Sequence, residues 1–368
     1  MLAELDRHPN ARALLAPALA GGRVSHAYLF HGPGGAGKRA AARAVAAQLL
    51  AEGSPDPDSA RARALSGSHP DLTWVAPSGA HEILVADIDE PVVAAASKTP
   101  FESARRVFVI ERVDELGDEA ANRMLKTLEE PASFVHLILL TDRLAEVLPT
   151  IRSRCQLVRF DAPSAEQVAG ELVAEGIDAG AAAACARLGL GDAAVARQLA
   201  HDGGRTLRAA AERFAQAALA GEVDRERPWA ALLEAVRARG EAARAELEER
   251  AAAELELYPR RERKRAETEW TDRIRRVKRR VETGALDLGL QLVSLWFTDL
   301  AALAWGAEDL VRHVDRRPQL DQHGGLAPER LRVATELVED TRVRFQLNVS
   351  EDLACEALAY RLERVLAP

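Results

Sequence analysis

Short apolar runs alternate along the first 160 residues with longer segments that carry apolar side chains every three or four positions. Continuous apolar runs of this kind are typical of parallel strands buried on both faces. Five such runs lie within residues 27–31, 69–75, 107–111, 134–141 and 156–160. Between them, residues 83–97 and 118–130 have the spacing of amphipathic helices. The pattern therefore predicts an α/β domain with a five-stranded parallel sheet over residues 1–160.

The remainder of the chain is patterned for helices alone. Residues 161–205 are alanine-rich with helical spacing and predict a small helical lid, whereas residues 206–368 predict an all-α C-terminal domain with residues 286–305 at its buried centre. A chain of 368 residues exceeds one ordinary hydrophobic core. We therefore expect three parts: 1–160, 161–205 and 206–368.

A strongly charged segment interrupts the C-terminal part at about residues 241–282. Its first half, residues 241–256, has six acids and two bases, and residues 260–280 have eleven bases and four acids, a net charge of +7. Each half carries an apolar stripe, and Tyr258-Pro259 lies between the halves. The pattern predicts a helical hairpin in which an acidic arm neutralises a basic arm. The alternative is that the basic arm contacts DNA phosphates.

Composition narrows the class of protein. Hydrophobic residues make up 48% of the chain and charged residues 29%, no stretch of about 18 apolar residues is apparent, and the N-terminus lacks the apolar core of a signal peptide. We therefore expect a cytoplasmic protein without a membrane partner. The net charge of −8 restricts any nucleic-acid contact to a local surface. The three cysteines have no zinc-binding spacing, so no metal site is predicted.

A glycine-rich loop between the first strand and an alanine-rich helix has the G-x4-G-K pattern of a phosphate-binding P-loop. Backbone N–H groups of such a loop surround phosphates, the helix N-terminus adds a positive dipole end, and the lysine reaches the terminal phosphates. The predicted nucleotide-binding residues here are Gly32, Gly34, Gly35, Ala36, Gly37 and Lys38. The next residue is Arg39, where an active P-loop has a Ser or Thr that binds Mg²⁺. Arg39 can pair with phosphate but cannot bind a metal.

A second position that hydrolysis needs is also changed. An ATPase of this layout ends its third strand with an Asp that binds Mg²⁺ and an adjacent Glu that orients water. Those positions hold Glu111 and Arg112, a degenerate Walker B pair, and Arg112 cannot act as a base. Thr141, at the end of the following strand, has the hydroxyl of a γ-phosphate sensor or is a core threonine.

Two arginines follow at the edge of the predicted domain, in the run Arg152-Ser153-Arg154-Cys155. Both are compatible with plain surface charge. Alternatively, one of them is an arginine finger that reaches into a neighbouring subunit's nucleotide site and stabilises transition-state charge there.

Four segments resemble a known family. They are SHAYLFHGPGGAGK at the P-loop, HPDL at residue 69, AANRMLKTLEEP at residues 120–131 and TIRSRC at residues 150–155. Together they resemble the delta-prime subunits of the bacterial DNA polymerase III clamp loader, which are AAA+ proteins. The ending, FQLNVSEDLACEALAYRLERV, is similar to the last helix of that family's collar domain.

The resemblance implies a stationary subunit in a ring of five with tau/gamma and delta subunits, which loads the sliding clamp on primer-template DNA. It assigns the role of a trans-acting arginine finger to Arg154. Two features depart from the family or its motors. Residues 49–68 lack the four zinc-binding cysteines of many relatives, and the second sensor position of AAA+ motors holds Val195, with Arg197 two positions late.

Two classes of function therefore follow from the sequence. The first is a non-hydrolysing clamp-loader subunit that binds ATP without turnover or binds none. The alternative is an ATP-hydrolysing AAA+ motor subunit or stand-alone ATPase that uses Lys38, Glu111 and Thr141. Three residues oppose the alternative: Arg39, Arg112 and Val195. A third possibility, a nucleotide-gated adaptor outside replication, is disfavoured by the HPDL and LEEP segments.

Overall fold

Five parallel strands form a single sheet in the N-terminal part of the computed structural model. The structure describes residues 5–6, 8–77, 83–256, 260–323, 325–345 and 349–366. The chain divides into two compact units, Met1–Pro163 and Ser164–Pro368. The predicted boundary at residue 205 between lid and collar lies inside the second unit and stays a prediction.

The sheet confirms the five predicted strands. Four agree with the expected bounds within one residue, and the strand expected at residues 69–75 begins three residues later, at Leu72. The strands of the sheet are β1 (Ala27–His31), β2 (Leu72–Val75), β3 (Arg106–Ile110), β4 (Val135–Thr141) and β5 (Gln156–Arg159). They pair in the order β2-β3-β4-β1-β5, with every pair parallel. All seven residues of β4 and the first four of β1 are buried, as expected of central strands covered on both faces. The carboxyl ends of β1, β3 and β4 therefore meet at one edge of the sheet.

In the described part of the first unit, six α-helices accompany the sheet. They are α1 (Pro9–Ala20), α2 (Lys38–Ala51), α3 (Pro57–Ser66), α4 (Val85–Ile88), α5 (Asp118–Glu129) and α6 (Pro149–Arg152). Short 3₁₀ turns at Val113–Glu115 and Leu144–Glu146 follow β3 and β4. One apolar cluster joins α1 and α2 to one face of the sheet, and a second joins α5 to the other face.

Two segments differ from expectation. Residues 52–68, where the sequence pattern predicts no regular element, contain the regular helix α3, because Asp56 accepts a hydrogen bond from Ser59 N at its start and Gly67 closes it in the left-handed conformation. The helix expected over residues 83–97 changes after α4 into a π-helix, Asp89–Ala94. This π-helix contains Pro91, which has no N–H for the i to i−4 hydrogen bond.

The loop before β3 is held by a buried aspartate of the HPDL segment. Asp71 is fully buried, and its carboxylate accepts backbone N–H hydrogen bonds from Phe101 (2.5 Å), Glu102 (2.9 Å) and Ser103 (2.9 Å). His69 accepts a hydrogen bond at Nδ1 from Asp71 N, within the turn that precedes β2. The HPDL segment therefore joins the start of β2 to the loop before β3.

The second unit is helical throughout its described residues, as predicted. Its α-helices are α7 (Ala165–Ala174), α8 (Ala179–Leu188), α9 (Ala193–Ala200), α10 (Asp202–Ala220), α11 (Val223–Glu226), α12 (Pro228–Leu255), α13 (Arg260–Ala304), α14 (Arg317–Asp321), α15 (Pro328–Arg344) and α16 (Glu351–Leu366). Short 3₁₀ turns lie at Glu308–Leu310 and Val314–Arg316. Leu286, Trp296 and Phe297 of α13 are buried in its core, whereas Trp305, the last residue of the predicted core stretch, is 70% exposed.

The charged segment forms two helices, as predicted, but they are the ends of the longer helices α12 and α13. Gly240 lets the two helices approach closely, since a Cβ there would lie 2.5 Å from Glu282 Cγ. Among the described residues, an ion pair between Lys278 Nζ and Glu241 Oε1 (2.6 Å) crosses between the arms. Tyr258-Pro259, expected between the arms, lies outside the described residues.

One stretch satisfies the length and composition of a membrane span, which the sequence pattern did not predict. It lies in the helical segment Ala266–Ala304, and 78% of its most apolar 18-residue window is buried inside the second unit. This burial is that of a core helix.

Candidate functional site

The P-loop joins the end of β1 to the start of α2, the context that the sequence predicted. Gly32 has a φ of 143°, and a Cβ at this position would lie 2.0 Å from the carbonyl oxygen of Phe160. Gly37 precedes α2 with a φ of 78°. Both positions therefore require glycine, because a side chain would clash or strain the backbone. Gly34, Gly35 and Ala36 lie between them, and Ala36 is buried.

Lys38 is almost completely buried and is held within its own loop. Its Nζ donates hydrogen bonds to the carbonyl oxygens of Gly32 (2.6 Å) and Pro33 (2.5 Å) and forms an ion pair with Asp142 Oδ1 at 2.7 Å. Asp142 directly follows β4, and sequence reasoning missed it. The position of Asp142 directly after a strand end, where parallel sheets bind their ligands, was the sequence signal that could have identified it.

Arg39 and Glu111, the two substituted metal positions, contact each other. Arg39 Nε lies 2.9 Å from Glu111 Oε1, and Trp74 Nε1 donates a hydrogen bond to the same oxygen at 2.5 Å. The Glu111 side chain is 12% exposed and the Arg39 side chain 71%. A positive charge from the P-loop thus lies against the acid at the end of β3. Sequence reasoning found both residues but not their contact, nor the role of Trp74.

These residues do not fit the Mg²⁺ ion that a P-loop ATPase uses. The hydroxyl ligand is absent at Arg39, and the carboxylate of Glu111 is already bound by a guanidinium and an indole. Within the described part of the chain, no group of three or more His, Cys, Asp or Glu side chains could hold a metal ion.

Residues beyond the ends of β3 and β4 form a separate polar group. Arg112 has left-handed backbone angles (φ 54°, ψ 49°) and pairs with Glu115 at 2.5 Å. The Thr141 hydroxyl donates to Asp114 Oδ1 at 2.7 Å and accepts a hydrogen bond from Arg143 N at 3.0 Å. The hydroxyl of Thr141 is therefore engaged inside the chain, and a phosphate-sensing role stays a prediction.

Arg154 lies two residues beyond α6 and is tied to the end of α5. Its guanidinium donates to Thr150 O at 2.9 Å and to Ser153 Oγ at 3.3 Å, and it forms an ion pair with Glu129. Its side chain is 34% exposed. Because the guanidinium of Arg154 is hydrogen-bonded to three different residues, it has a defined position at the protein surface. Glu129, within the LEEP segment, is a contact that sequence reasoning did not identify.

Two nearby groups have shifted pKa values. Burial lowers the pKa of His31, and the positive charges of Arg159 and Lys38 lower it further, so the His31 ring is neutral at pH 7. Burial raises the pKa of the Cys155 thiol to about 12. A thiol with this pKa is not a nucleophile at neutral pH, which agrees with a packing role beside Arg154.

The second sensor position lies in the other unit. Val195 packs against the hydrophobic core of the second unit. Arg197 donates hydrogen bonds from Nε to Glu175 (2.8 Å) and from a terminal nitrogen to Glu171 (2.9 Å). Both acids lie on or beside α7, so the guanidinium of Arg197 stabilises the packing of α9 on α7.

Comparison with known proteins identifies relatives that match part of the chain. The family model described as "DNA polymerase III, delta subunit" matches residues 7–164. DNA polymerase III subunit delta' of Bacillus subtilis is 35% identical over 176 residues, 47% of this chain and 53% of that protein. The delta' subunit of Pseudomonas aeruginosa is 37% identical over 142 residues, 37% of this chain and 43% of that protein.

A subunit with a different name also matches part of the chain, at lower sequence identity. DNA polymerase III subunit gamma/tau of Mycobacterium bovis is 32% identical over 162 residues, 41% of this chain and 27% of that protein. The chain thus spans about half the length of the delta' relatives that it matches. Residues 7–164 thus match a family model of a DNA polymerase III subunit, and the chain is similar to bacterial delta' subunits over less than half of its length.

Proposed function

We propose that this chain is a non-hydrolysing, stator-type subunit of the clamp loader of DNA polymerase III in the cytoplasm. It assembles with tau/gamma and delta subunits in a five-membered ring that places the sliding clamp on primer-template DNA. There, Arg154 acts in trans on the ATP of a neighbouring subunit. The match of residues 7–164 to the family model supports the assembly, and the surface position of Arg154 supports the trans role.

The observation that carries the non-hydrolysing role is the ion pair between Arg39 and Glu111. Phosphoryl transfer by a P-loop enzyme depends on a metal ion that neutralises charge on the β- and γ-phosphates, and on a residue that positions the attacking water. The Arg39–Glu111 pair removes the metal site. Arg112, which is paired with Glu115, removes the residue that positions the attacking water. Binding of ATP without turnover is compatible with the retained glycines and Lys38.

The motor-subunit alternative is supported by the match of part of the chain to a gamma/tau subunit. That match does not supply the missing residues. Lys38 and Thr141 are present, but a lysine and a sensor alone do not hydrolyse ATP without a metal site and a base.

ATP hydrolysis by the purified chain alone tests the non-hydrolysing role. We expect no turnover above that of the matched variant Lys38→Ala, with or without primed DNA. Addition of tau/gamma and delta subunits should then give a complex that contains the chain and hydrolyses ATP. Lys38-dependent turnover by the isolated chain would contradict the proposal and favour the motor alternative.

A further inference from the structure

The contact between Arg39 and Glu111 bears on which ions the P-loop can bind, in addition to the loss of catalysis. In a metal-dependent P-loop site, the residue after the lysine and the acid at the strand end hold one cation between them. Here the same two positions hold a cation that is part of the chain. The Arg39 Nε to Glu111 Oε1 distance is 2.9 Å, which is a direct ion pair.

A divalent cation is excluded from this position for two reasons. Glu111 would have to give up both Arg39 and the 2.5 Å hydrogen bond from Trp74 Nε1 before its Oε1 could bind a metal. The Arg39 guanidinium is also charged at every accessible pH, so it would repel a divalent ion a few ångströms away.

An anion is favoured at the same place. The ion pair engages Nε of Arg39, and 71% of the side chain is exposed, so its remaining donors can bind a second anion without breaking the pair. Lys38 lies next to it in sequence at the N-terminus of α2, where backbone N–H groups and the helix dipole attract negative charge. The pair with Asp142 shows that an anionic oxygen can lie 2.7 Å from Lys38 Nζ.

We infer that the P-loop of this chain is a metal-free site for the polyphosphate of a nucleoside di- or triphosphate, with the Arg39 guanidinium in the place of Mg²⁺. Glu111 and Trp74 are positioning residues that hold the guanidinium at that place. This inference deepens the proposed function, because it assigns a ligand class and a cation to the P-loop of a non-hydrolysing subunit.

Equilibrium binding of ATP and of ADP to the full-length chain, measured by calorimetry in EDTA and in Mg²⁺, tests the inference. We expect the wild-type chain to bind with the same dissociation constant within about twofold in both buffers. Arg39→Ser should weaken binding in EDTA about tenfold, the effect of one lost charge-assisted contact. It should also make the remaining binding depend on Mg²⁺, because it restores a hydroxyl and frees Glu111.

The matched control is Arg61→Ser, which removes another arginine from the first unit, one that pairs with Asp58 on the exposed surface of α3. It should bind nucleotide like the wild type in both buffers. Wild-type binding that requires Mg²⁺, or no wild-type binding in either buffer, would overturn the inference. Neither result would affect incorporation of the chain into a ring with tau/gamma and delta subunits, so failure here is distinguishable from failure of the proposed function.

Discussion

Arg154 owes its position to Glu129, a residue at the end of a different helix. The ion pair between them is accompanied by hydrogen bonds from the guanidinium to Thr150 O and Ser153 Oγ. An arginine that acts on a neighbouring subunit stabilises that subunit's site most when its own geometry is fixed before the subunits meet. Less conformational entropy is then lost on contact. Glu129 is therefore a positioning residue for the proposed trans-acting arginine.

Replacement of Glu129 tests this role. We expect Glu129→Gln to lower kcat for ATP hydrolysis by the assembled complex about two- to fivefold, the effect of one partly exposed ion pair, with KM for ATP unchanged. The control is Glu130→Gln, which removes the adjacent exposed acid and should leave kcat unchanged. Equal rates for Glu129→Gln and the wild type would show that the ion pair does not position Arg154.

At the scale of elements, a single carboxylate organises the loop before β3. Asp71 accepts three backbone hydrogen bonds from residues 101–103 while fully buried. Its removal would leave several backbone donors without a partner. Each such loss costs about 1–3 kcal/mol.

We expect Asp71→Ala to lower the free energy of unfolding by about 3 kcal/mol, measured by urea denaturation. The exposed Asp58, which pairs with Arg61 on the surface, provides the control. Asp58→Ala should change the free energy of unfolding by no more than about 0.5 kcal/mol. Similar effects of the two substitutions would contradict the organising role of Asp71.

The basic arm of α13 is engaged largely within its own unit. Lys278 pairs with Glu241 across the hairpin, Arg279 pairs with Glu351 of α16, and the Arg273 guanidinium lies 4.8 Å from the centre of the Trp270 ring. The hydrogen bond from Lys278 also lowers the pKa of Glu241. These contacts favour structural pairing over DNA binding.

A salt titration of DNA binding distinguishes structural pairing of the basic arm from contact with DNA. With the six bases of residues 273–280 replaced by Gln, we expect the slope of log affinity against log salt for primed DNA to stay that of the wild-type complex. A slope reduced by about 0.9 for each lost phosphate contact would instead assign the basic arm to DNA. Replacement of Arg244 and Arg250, which pair within the acidic arm, is the matched control.

Some elements were predictable from sequence and others were not, for physical reasons. The buried strands were predictable because a strand covered on both faces needs a continuous apolar run, as in β4. The contacts of Arg39 with Glu111 and of Arg154 with Glu129 join residues 72 and 25 positions apart. Pattern within one element carries no information on such pairs. The π-helix was not predicted because the apolar spacing around Pro91 is that of an ordinary α-helix, and this spacing does not show the effect of the missing proline N–H.

At the scale of the whole molecule, residues 7–164 match the delta-prime family model, and this range corresponds closely to the first compact unit. That unit contains the altered P-loop, the paired Arg39 and Glu111, and Arg154. We propose that a subunit with this combination contributes to hydrolysis in a ring without hydrolysing ATP itself.

The most direct test of that claim is DNA-stimulated ATP hydrolysis by the complex reconstituted with tau/gamma and delta subunits. We expect Arg154→Ala to lower the rate about tenfold or more while the chain still assembles, because a trans-acting arginine stabilises transition-state charge in the neighbouring site. Arg152→Ala, two residues earlier, should keep the wild-type rate. A complex with Arg154→Ala that hydrolyses ATP at the wild-type rate would contradict the account.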